Sequence, residues 1–448
     1  MSTSPHPVEL SNRIIDSGVA EPPHNRVINE LTEIDDDVAV VESFSHCWVV
    51  RTDEGLVCFD ASGVHSGPAV VEAIRGWSDD PVHSIVYTHG HLDHVGGSGA
   101  FIADAGSRGT ARPRFLAHEA LLPRFDRYRT TSDWNVLINR RQFGGIIGRR
   151  DLGIGGTGTV FLPDDVAEPD ETFGDTMSLE VGGDTIELRH ARGETDDHVW
   201  GWDASRKSAY TGDFMAWVFP NAGNPQKVQR YPIEWAAALR DMLAAGAENV
   251  YPAHGLPVVG RERVELVLGD LAEALEHLSG RTLDLMNEGA TIDTIIHEVT
   301  VPEHLRDRPW LAPQYDEPEF VVRNVYRQFG GWWDSNAANL KPAREAALAA
   351  EVVALAGSVE ALTDRAQELA EAGDLRLACH LVEMAVAAEP GHEGAHRARA
   401  EVYWRRRKAE RSLMSKGIYA AAARQSEAAL GEEVGGDRMG DAIRGSLG

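Results

Sequence analysis

The stretch Thr88-His-Gly-His-Leu-Asp-His94 constrains the fold of this chain more than any other part of it. Three histidines and an aspartate fall within six positions, directly after the apolar run Ser84-Ile-Val-Tyr87 and just before the small-residue run Gly96-Gly-Ser-Gly99. The apolar run predicts a buried strand, so the polar cluster occupies a strand-turn-helix setting that can aim several side chains at one point. Alternate residues of an extended or tightly turned backbone project together. His89 and His91 are therefore candidates for one metal ion, and Asp93 and His94 for a second. Imidazole nitrogen with carboxylate oxygen suits zinc and admits manganese or iron.

At 448 residues the chain exceeds one ordinary core, and two domains are expected. No apolar span approaches the roughly 20 residues a membrane helix needs. Met1 to Asp16 lacks the basic start and apolar centre of an export signal, so the expected location is cytoplasmic. Cys47, Cys58 and Cys379 are too few and too scattered for a disulfide framework or a sulfur-ligated metal. A formal charge of −27 repels polyanions, which sets nucleic acid aside as the main partner. A small anionic substrate then needs a local basic patch.

Residues 1–25, with Pro5, Pro7, Pro22 and Pro23 and little periodicity, are expected to form a mobile leader. Short apolar strands follow at Val38-Ala-Val-Val41, Cys47-Trp-Val-Val50 and Leu56-Val-Cys-Phe59, with a helix over Ala69 to Ile74 before the histidine cluster. Phe115-Leu-Ala-His118 reads as a strand and Glu119 to Tyr128 as a helix. Thr130 to Gly158, rich in glycine and arginine, carries Trp134, Leu137, Ile138, Phe143, Ile146 and Ile147; a substrate lid and an irregular surface excursion are equal readings of it. Met177 to Val181 and Thr185 to Leu188 form a hairpin about Gly182-Gly183. Polar groups then follow apolar strands three more times: at His190 to His198, at Thr211-Gly-Asp213, and at Ala253-His-Gly255.

Several strand ends bearing metal-type ligands point to a two-metal hydrolase. The residues resemble the metallo-β-lactamase fold superfamily, whose Thr-His-x-His-x-Asp-His signature stands complete at Thr88 to His94. Thr211-Gly-Asp213 and Ala253-His-Gly255 look like its later ligand motifs, so the resemblance covers roughly Val38 to Gly260. It implies an α/β fold, an αββα sandwich with a dinuclear site along the edge where the sheets meet. Nineteen residues before Asp213, where most members carry a histidine, stands Glu194, which resembles the alkylsulfatase branch. The implied ligands are His89, His91 and Glu194 for one metal and Asp93, His94 and His254 for the other. Asp213 bridges them, and Asp93 and Asp213 are the catalytic carboxylates. His198 is a rival to Glu194, or a residue behind the ligands or against the substrate. The expected cofactor is Zn2+, two ions per chain, with manganese or iron as alternatives.

Beyond Leu266 the chain reads as helical. Gly330-Gly-Trp-Trp-Asp-Ser-Asn-Ala-Ala-Asn-Leu340 resembles the Gly-Trp-x-Asp-x-Asn-x-x-Asn-Leu motif of alkylsulfatase dimerisation domains, and the likeness continues to Tyr419. Independently, helical spacing over Ala347 to Leu369 and Leu375 to Ala388, punctuated by Gly373 and Pro390, predicts stacked helix pairs. The expected organisation is a leader over 1–25, a metallo-β-lactamase-like catalytic domain over 26–274, an all-α helical dimerisation domain over 275–425, and a tail over 426–448. A homodimer through the helical domain is implied. The chain departs from the alkylsulfatases in carrying Asp213 where they place a glutamate, and no stretch of it matches the third, lipid-binding-like domain of the longer ones.

Two cations about 4 Å apart that share a water lower its pKa and supply hydroxide near neutral pH. The expected reaction is hydrolysis of an alkyl sulfate or similar sulfate ester by that hydroxide. Asn221, Asn224, Lys227 and Arg230 are candidate substrate-binding residues, set against the reading that they form a solvated polar connector. Trp217, Phe219 and the apolar residues of 134–147 are candidates for holding an alkyl chain or for core. Two other readings stand beside this one: the same site acting on a thioester, lactone or phosphoester, and a non-catalytic metal-binding scaffold.

Overall fold

A computed structural model describes residues 5–22, 24–145 and 160–432 of the chain. Among these residues two sheets form the centre of the molecule. The first contains β1 (Glu30–Glu33), β2 (Val38–Glu42), β3 (Cys47–Thr52), β4 (Gly55–Phe59), β5 (Val82–Val86), β6 (Arg114–His118) and β7 (Glu171–Phe173), paired in chain order. β1 to β4 form an antiparallel meander, whereas β4 to β7 are parallel, which requires crossovers. Helices Gly67–Trp77 and Ser98–Arg108 supply the first two crossovers. The second sheet contains β8 (Thr176–Val181), β9 (Asp184–His190), β10 (Val199–Asp203), β11 (Ser208–Gly212), β12 (Asn249–Pro252) and β13 (Val258–Val259), again in chain order.

Strand alternation explains the layering. Val38, Val40, Trp48, Val50, Val57 and Phe59 point inward to meet Leu179, Ile186, Leu188, Val199 and Tyr210 of the other sheet. The intervening Val41, Cys47, Val49, Leu56 and Cys58 point outward to Val70, Ile74 and Phe101 of the crossover helices. Burial on both faces is why these strands read as continuous apolar runs. The outer face of the second sheet is covered by helices Pro232–Ala244, Arg261–Asn287 and Pro318–Gly330. The result is the expected αββα sandwich, followed by an all-helical region.

Three expectations need correction. Within the expected mobile leader, Pro7–Ser17 is a helix that buries Leu10, Ile14 and Ile15 in the core outside the second sheet. Its apolar positions lie at helical spacing, a period obscured by the surrounding prolines. The expected break at 274/275 falls inside the continuous helix Arg261–Asn287, whose Leu268, Leu271, Leu275 and Leu278 all enter that same core. Ala347 to Leu369 is not one helix but two, Glu345–Ala356 and Val359–Glu371, bent by 86°. Gly357, with φ 98°, ends the first, and Ser358 caps the second by accepting from Ala361 N.

Helices Val359–Glu371, Leu375–Ala388, Glu393–Ala409 and Leu413–Ala429 pack together around Ala366, Ala378, Val382, Ala398, Val402 and Ala423. No single described helix is long and apolar enough to cross a membrane. Of the 130–158 insertion, the first part extends helix Leu121–Thr130 and forms helix Ser132–Gln142. Ile146, Ile147 and the remainder to Gly158 lie outside the described residues, as does the tail from 433.

Candidate metal centre

The candidate ligand side chains sit at strand ends along one edge of the sandwich. β5 delivers Thr88 to His94, with Thr88 O accepting from Val199 N at 2.7 Å to tie the two sheets together here. β11 ends in Asp213, β12 leads to His254, and the β9–β10 connection carries Glu194 and His198. Gly212, at φ 52°, lets the chain turn into Asp213; a Cβ there would come within 2.7 Å of Thr88 and 2.8 Å of His198 Nε2.

All seven expected ligands converge. His91 Nδ1 lies 2.9 Å from His89 Nε2 and 3.3 Å from Glu194 Oε1. Asp93 Oδ2 lies 3.6 Å from His94 Nε2 and 3.4 Å from His254 Nε2. Asp213 stands between these trios: its Oδ1 is 3.5 Å from both His94 Nε2 and His254 Nε2, and its Oδ2 is 3.9 Å from His89 Nε2. Three donor sets, His89/His91/Glu194, Asp93/His94/His254 and His89/His94/Asp213, each bring their ligand atoms within 4.8 Å of one another.

The donors fit a divalent cation. Buried His94 Nε2 and Asp213 Oδ1 have no hydrogen-bond partner, although unsatisfied buried polar atoms are costly. Burial pushes the Glu194 carboxyl up to about 8, with nearby Arg230 opposing and Asp213 reinforcing the shift, so an additional positive charge would relieve it. His89 is held well below the usual imidazole range by burial and by the neighbouring His94 and His91 rings, which favours the neutral, lone-pair form a metal requires.

His198 is placed differently from Glu194. Its Nε2 accepts from the backbone N–H of Asp213 at 3.3 Å, and its ring stacks on Phe214 at 4.0 Å. Burial pushes it down to about 3, so it is a neutral acceptor behind Asp213. It belongs to none of the three donor sets, whereas Glu194 does.

Two further groups went unread in the sequence. Asp60, at the end of β4 with φ 63°, is buried; its Oδ2 accepts from His94 Nδ1 at 2.7 Å and Thr88 Oγ1 at 2.8 Å, and its Oδ1 from Thr88 N at 2.7 Å. It fixes the His94 tautomer with Nε2 free to ligate. Asp197 accepts from Gly90 N and from Arg124 Nε, both at 2.9 Å, bracing the loop between His89 and His91. Asp60 follows the apolar run of β4 as the ligands follow theirs, so the same strand-end logic could have found it. Nothing in the sequence pairs Arg124 with Asp197.

A cavity of about 850 Å³ opens onto His91, Asp93, Asp213 and His254. Asn221, Asn224, Lys227 and Arg230 all line it. Arg230 donates to Glu194 Oε1 at 2.8 Å and Asn221 to the same oxygen at 2.5 Å. Lys227 Nζ donates to Asn139 Oδ1 at 2.6 Å, and Asn224 to Gln142 Oε1 at 3.3 Å. Trp134, Ile138, Phe143, Phe161, Val218 and Leu413 give the cavity apolar wall. Trp217 and Phe219 are not part of it. Both are fully buried core, Trp217 donating to Leu256 O at 2.6 Å.

Comparison with known proteins now bears on the chain. Residues 40–254 match the family model of the metallo-beta-lactamase superfamily, and residues 291–428 that of alkyl sulfatase dimerisation. Over these two regions the chain resembles the alkylsulfatase-like branch of the metallo-β-lactamase superfamily. A linear primary-alkylsulfatase of Pseudomonas sp. (strain ATCC 19151) is 26% identical over 404 residues, covering 86% of this chain and 75% of the relative. An (R)-specific secondary-alkylsulfatase of Pseudomonas sp. is 24% identical over 375 residues, covering 79% and 55%. An alkyl/aryl-sulfatase of Saccharomyces cerevisiae is 24% identical over 337 residues, covering 70% of this chain and half of that one. The solved structure of a stereoselective inverting sec-alkylsulfatase from Pseudomonas sp. superposes with a TM-score of 0.77 at 21% identity, over 93% of this chain and 69% of that one, which shows a shared fold. These relatives place this alkylsulfatase-like chain among hydrolases.

Proposed function

We propose that this alkylsulfatase-like protein hydrolyses alkyl sulfates or closely similar sulfate esters and holds two zinc ions, on His89, His91 and Glu194 and on Asp93, His94 and His254, with Asp213 shared between them. The observation that carries this is the convergence of the seven donors at the end of a cavity with basic groups near the donors and an apolar wall. Divalent cations bound by these donors supply Lewis acidity and a nucleophile from water near neutral pH.

The chain's own residues do the rest. Arg230 and Lys227 provide the local positive charge that the −27 protein otherwise lacks. Arg230 Nε is buried without a hydrogen-bond partner, leaving a donor for a sulfate oxygen. Asn221 and Asn224 add amide donors on the same wall. The side chains of Ile138, Phe143 and Phe161 shield an alkyl tail from water, worth roughly 0.8 kcal/mol per buried methylene. Asp93 and Asp213 lie nearest the reacting centre and are the carboxylates best placed to manage protons there.

The homodimer is part of the proposal. It is supported by the match to the dimerisation model and by exposed apolar side chains within it, among them Trp332 at 74% and Leu355 at 88% exposure. Metal analysis of purified protein, coupled to turnover of a panel of alkyl sulfates, thioesters, lactones and phosphodiesters, tests the whole reading. About two zinc per chain and release of inorganic sulfate from a linear alkyl sulfate are expected. Turnover confined to a non-sulfate ester would replace the substrate class, and a metal-free, inactive protein would refute the site.

A further inference from the structure

The segment from Pro220 to Arg230 carries the proposed anion-binding side chains yet has no helix or strand of its own. Those side chains bond to residues within 40–254, but the segment's backbone at Gly223 and Arg230 is held from outside that range, by helix Pro318–Gly330 and the turn before it. Gly223 N donates to buried Asp316 Oδ2 at 2.7 Å. Gly223 also lies so close to that helix that a Cβ would fall 2.2 Å from Phe320 C and Val321 N. At the far end of the segment, Asn324 Nδ2 donates to Arg230 O at 2.9 Å, and Arg230 N donates to Asn324 Oδ1 at 3.4 Å. One buried amide thus pins both backbone groups of Arg230. Arg327 steadies that amide from the surface, donating to Asn324 Oδ1 at 3.1 Å and to Gln229 Oε1 at 3.2 Å.

The other end of Arg230 is equally fixed. Its guanidinium donates to Glu194 Oε1 at 2.8 Å and to Glu194 O at 2.5 Å, and both side chains are buried. A long side chain clamped at its backbone and at its tip has one position. Loosening the backbone clamp therefore moves the charge that faces Glu194 and the substrate.

We propose that the region matched as a dimerisation domain is also a working part of the catalytic scaffold, with Asn324 as a positioning residue that sets Arg230 against the metal ligand Glu194. Asp316 does the same for Gly223 and so for Asn221 and Asn224. The inference rests on the proposed metal site but not on the identity of the ester. Residues 291–330 share one hydrophobic core with the second sheet, through Ile295, Leu305, Trp310, Val321 and Val325, so they are built to transmit position and not merely to hang from the sandwich.

The test is a double-mutant cycle on the full-length protein, using Asn324→Ala, Arg230→Gln and the pair. It reads zinc affinity by competition with a chromophoric chelator, and KM for whichever ester the wild type turns over. Asn324→Ala is expected to weaken zinc at the His89/His91/Glu194 set and raise KM, each about tenfold. It should add less than about twofold in the Arg230→Gln background, because it acts through that residue. Thermal unfolding and light scattering run alongside, since a purely structural role would lower Tm in both backgrounds while leaving KM and zinc affinity alone. If Asn324→Ala does not fold, Arg327→Gln, on the exposed side of the clamp, is expected to shift the same two quantities in the same direction by a smaller factor. Unchanged zinc affinity and KM in the folded variants, or effects that simply multiply in the double variant, would overturn the inference. Failure to hydrolyse any sulfate ester would remove the substrate assignment while leaving the zinc measurement to decide this one.

Discussion

Replacing Asp60 by asparagine isolates a single atom's worth of chemistry. The carboxylate is buried and accepts three hydrogen bonds, from Thr88 N, Thr88 Oγ1 and His94 Nδ1. Asparagine has nearly the same shape but must present an NH2 group where one oxygen stood. Thr88 N–H can only donate, so the amide oxygen stays opposite it and the NH2 falls where Oδ2 was. The threonine hydroxyl can turn around and accept. His94 can accept at Nδ1 only by carrying its proton on Nε2, the atom that lies 3.6 Å from Asp93 and 3.5 Å from Asp213 and must offer a lone pair to a cation. The substitution thus selects the wrong tautomer while leaving packing intact. Losing such a partner behind a ligating histidine costs about 10–100-fold in metal affinity, or about 1.4–2.7 kcal/mol. Chelator competition on the purified variant should show one zinc weakened by that factor, with the other less affected and kcat falling at limiting zinc. The melting temperature of the metal-free protein should move little, because no cavity is created. Zinc binding as tight as wild type would refute the tautomer argument; a collapse in metal-free stability would show Asp60 to be a structural group first.

The same structure sets three other outcomes. His91→Ala, which removes one donor of the His89/His91/Glu194 set, should lose zinc and turnover together, checked by metal analysis and a sulfate-release assay. Lys227 is pushed down to about 7 by burial, with Arg230 adding to the effect. Its charge is present below that pH and lost above it, so KM for an anionic ester should rise as pH climbs through about 7. Lys227→Arg should flatten that rise, and a KM independent of pH between 6 and 9 in the wild type would contradict it. Trp332→Ser, on the exposed Gly-Trp-Trp turn, should shift the light-scattering mass toward one chain at micromolar concentration without changing zinc content.

The fold was legible where local chemistry and tertiary packing agree. β2 to β4 read directly as strands because both faces of each are buried, and the hairpin about Gly182-Gly183 because its turn residues permit positive φ. The convergence of the seven candidate ligands was legible because each follows an apolar strand. Convergence at strand ends is a property of the topology that a chain-order reading can anticipate. The helix Pro7–Ser17 was missed because proline-rich flanks mask its period, and Trp217 and Phe219 were candidates for the cavity although their neighbours Ala216 and Val218 are the ones that face it. In an irregular segment there is no period by which to tell inward from outward.

What stayed hidden has a common physical cause. Arg124 with Asp197, Asn324 with Arg230, and Asp316 with Gly223 are pairings between segments 73, 94 and 93 residues apart, each made by one or two hydrogen bonds. Such bonds leave no periodicity, no motif and no composition bias, because a single polar residue in a helix looks the same whether it faces water or clamps a loop. Asn324 illustrates this: by pattern it is an ordinary polar position in an amphipathic helix, yet it is buried and bonded at both its amide oxygen and its amide nitrogen. Burying an amide without partners would cost about 1–3 kcal/mol, so its satisfaction by the Arg230 backbone is a condition for that helix packing where it does. The same bond therefore serves two ends. It lets the helical region dock on the second sheet, and it fixes the cation that meets Glu194; a change that relaxes docking should be felt at the metal before it is felt in the fold.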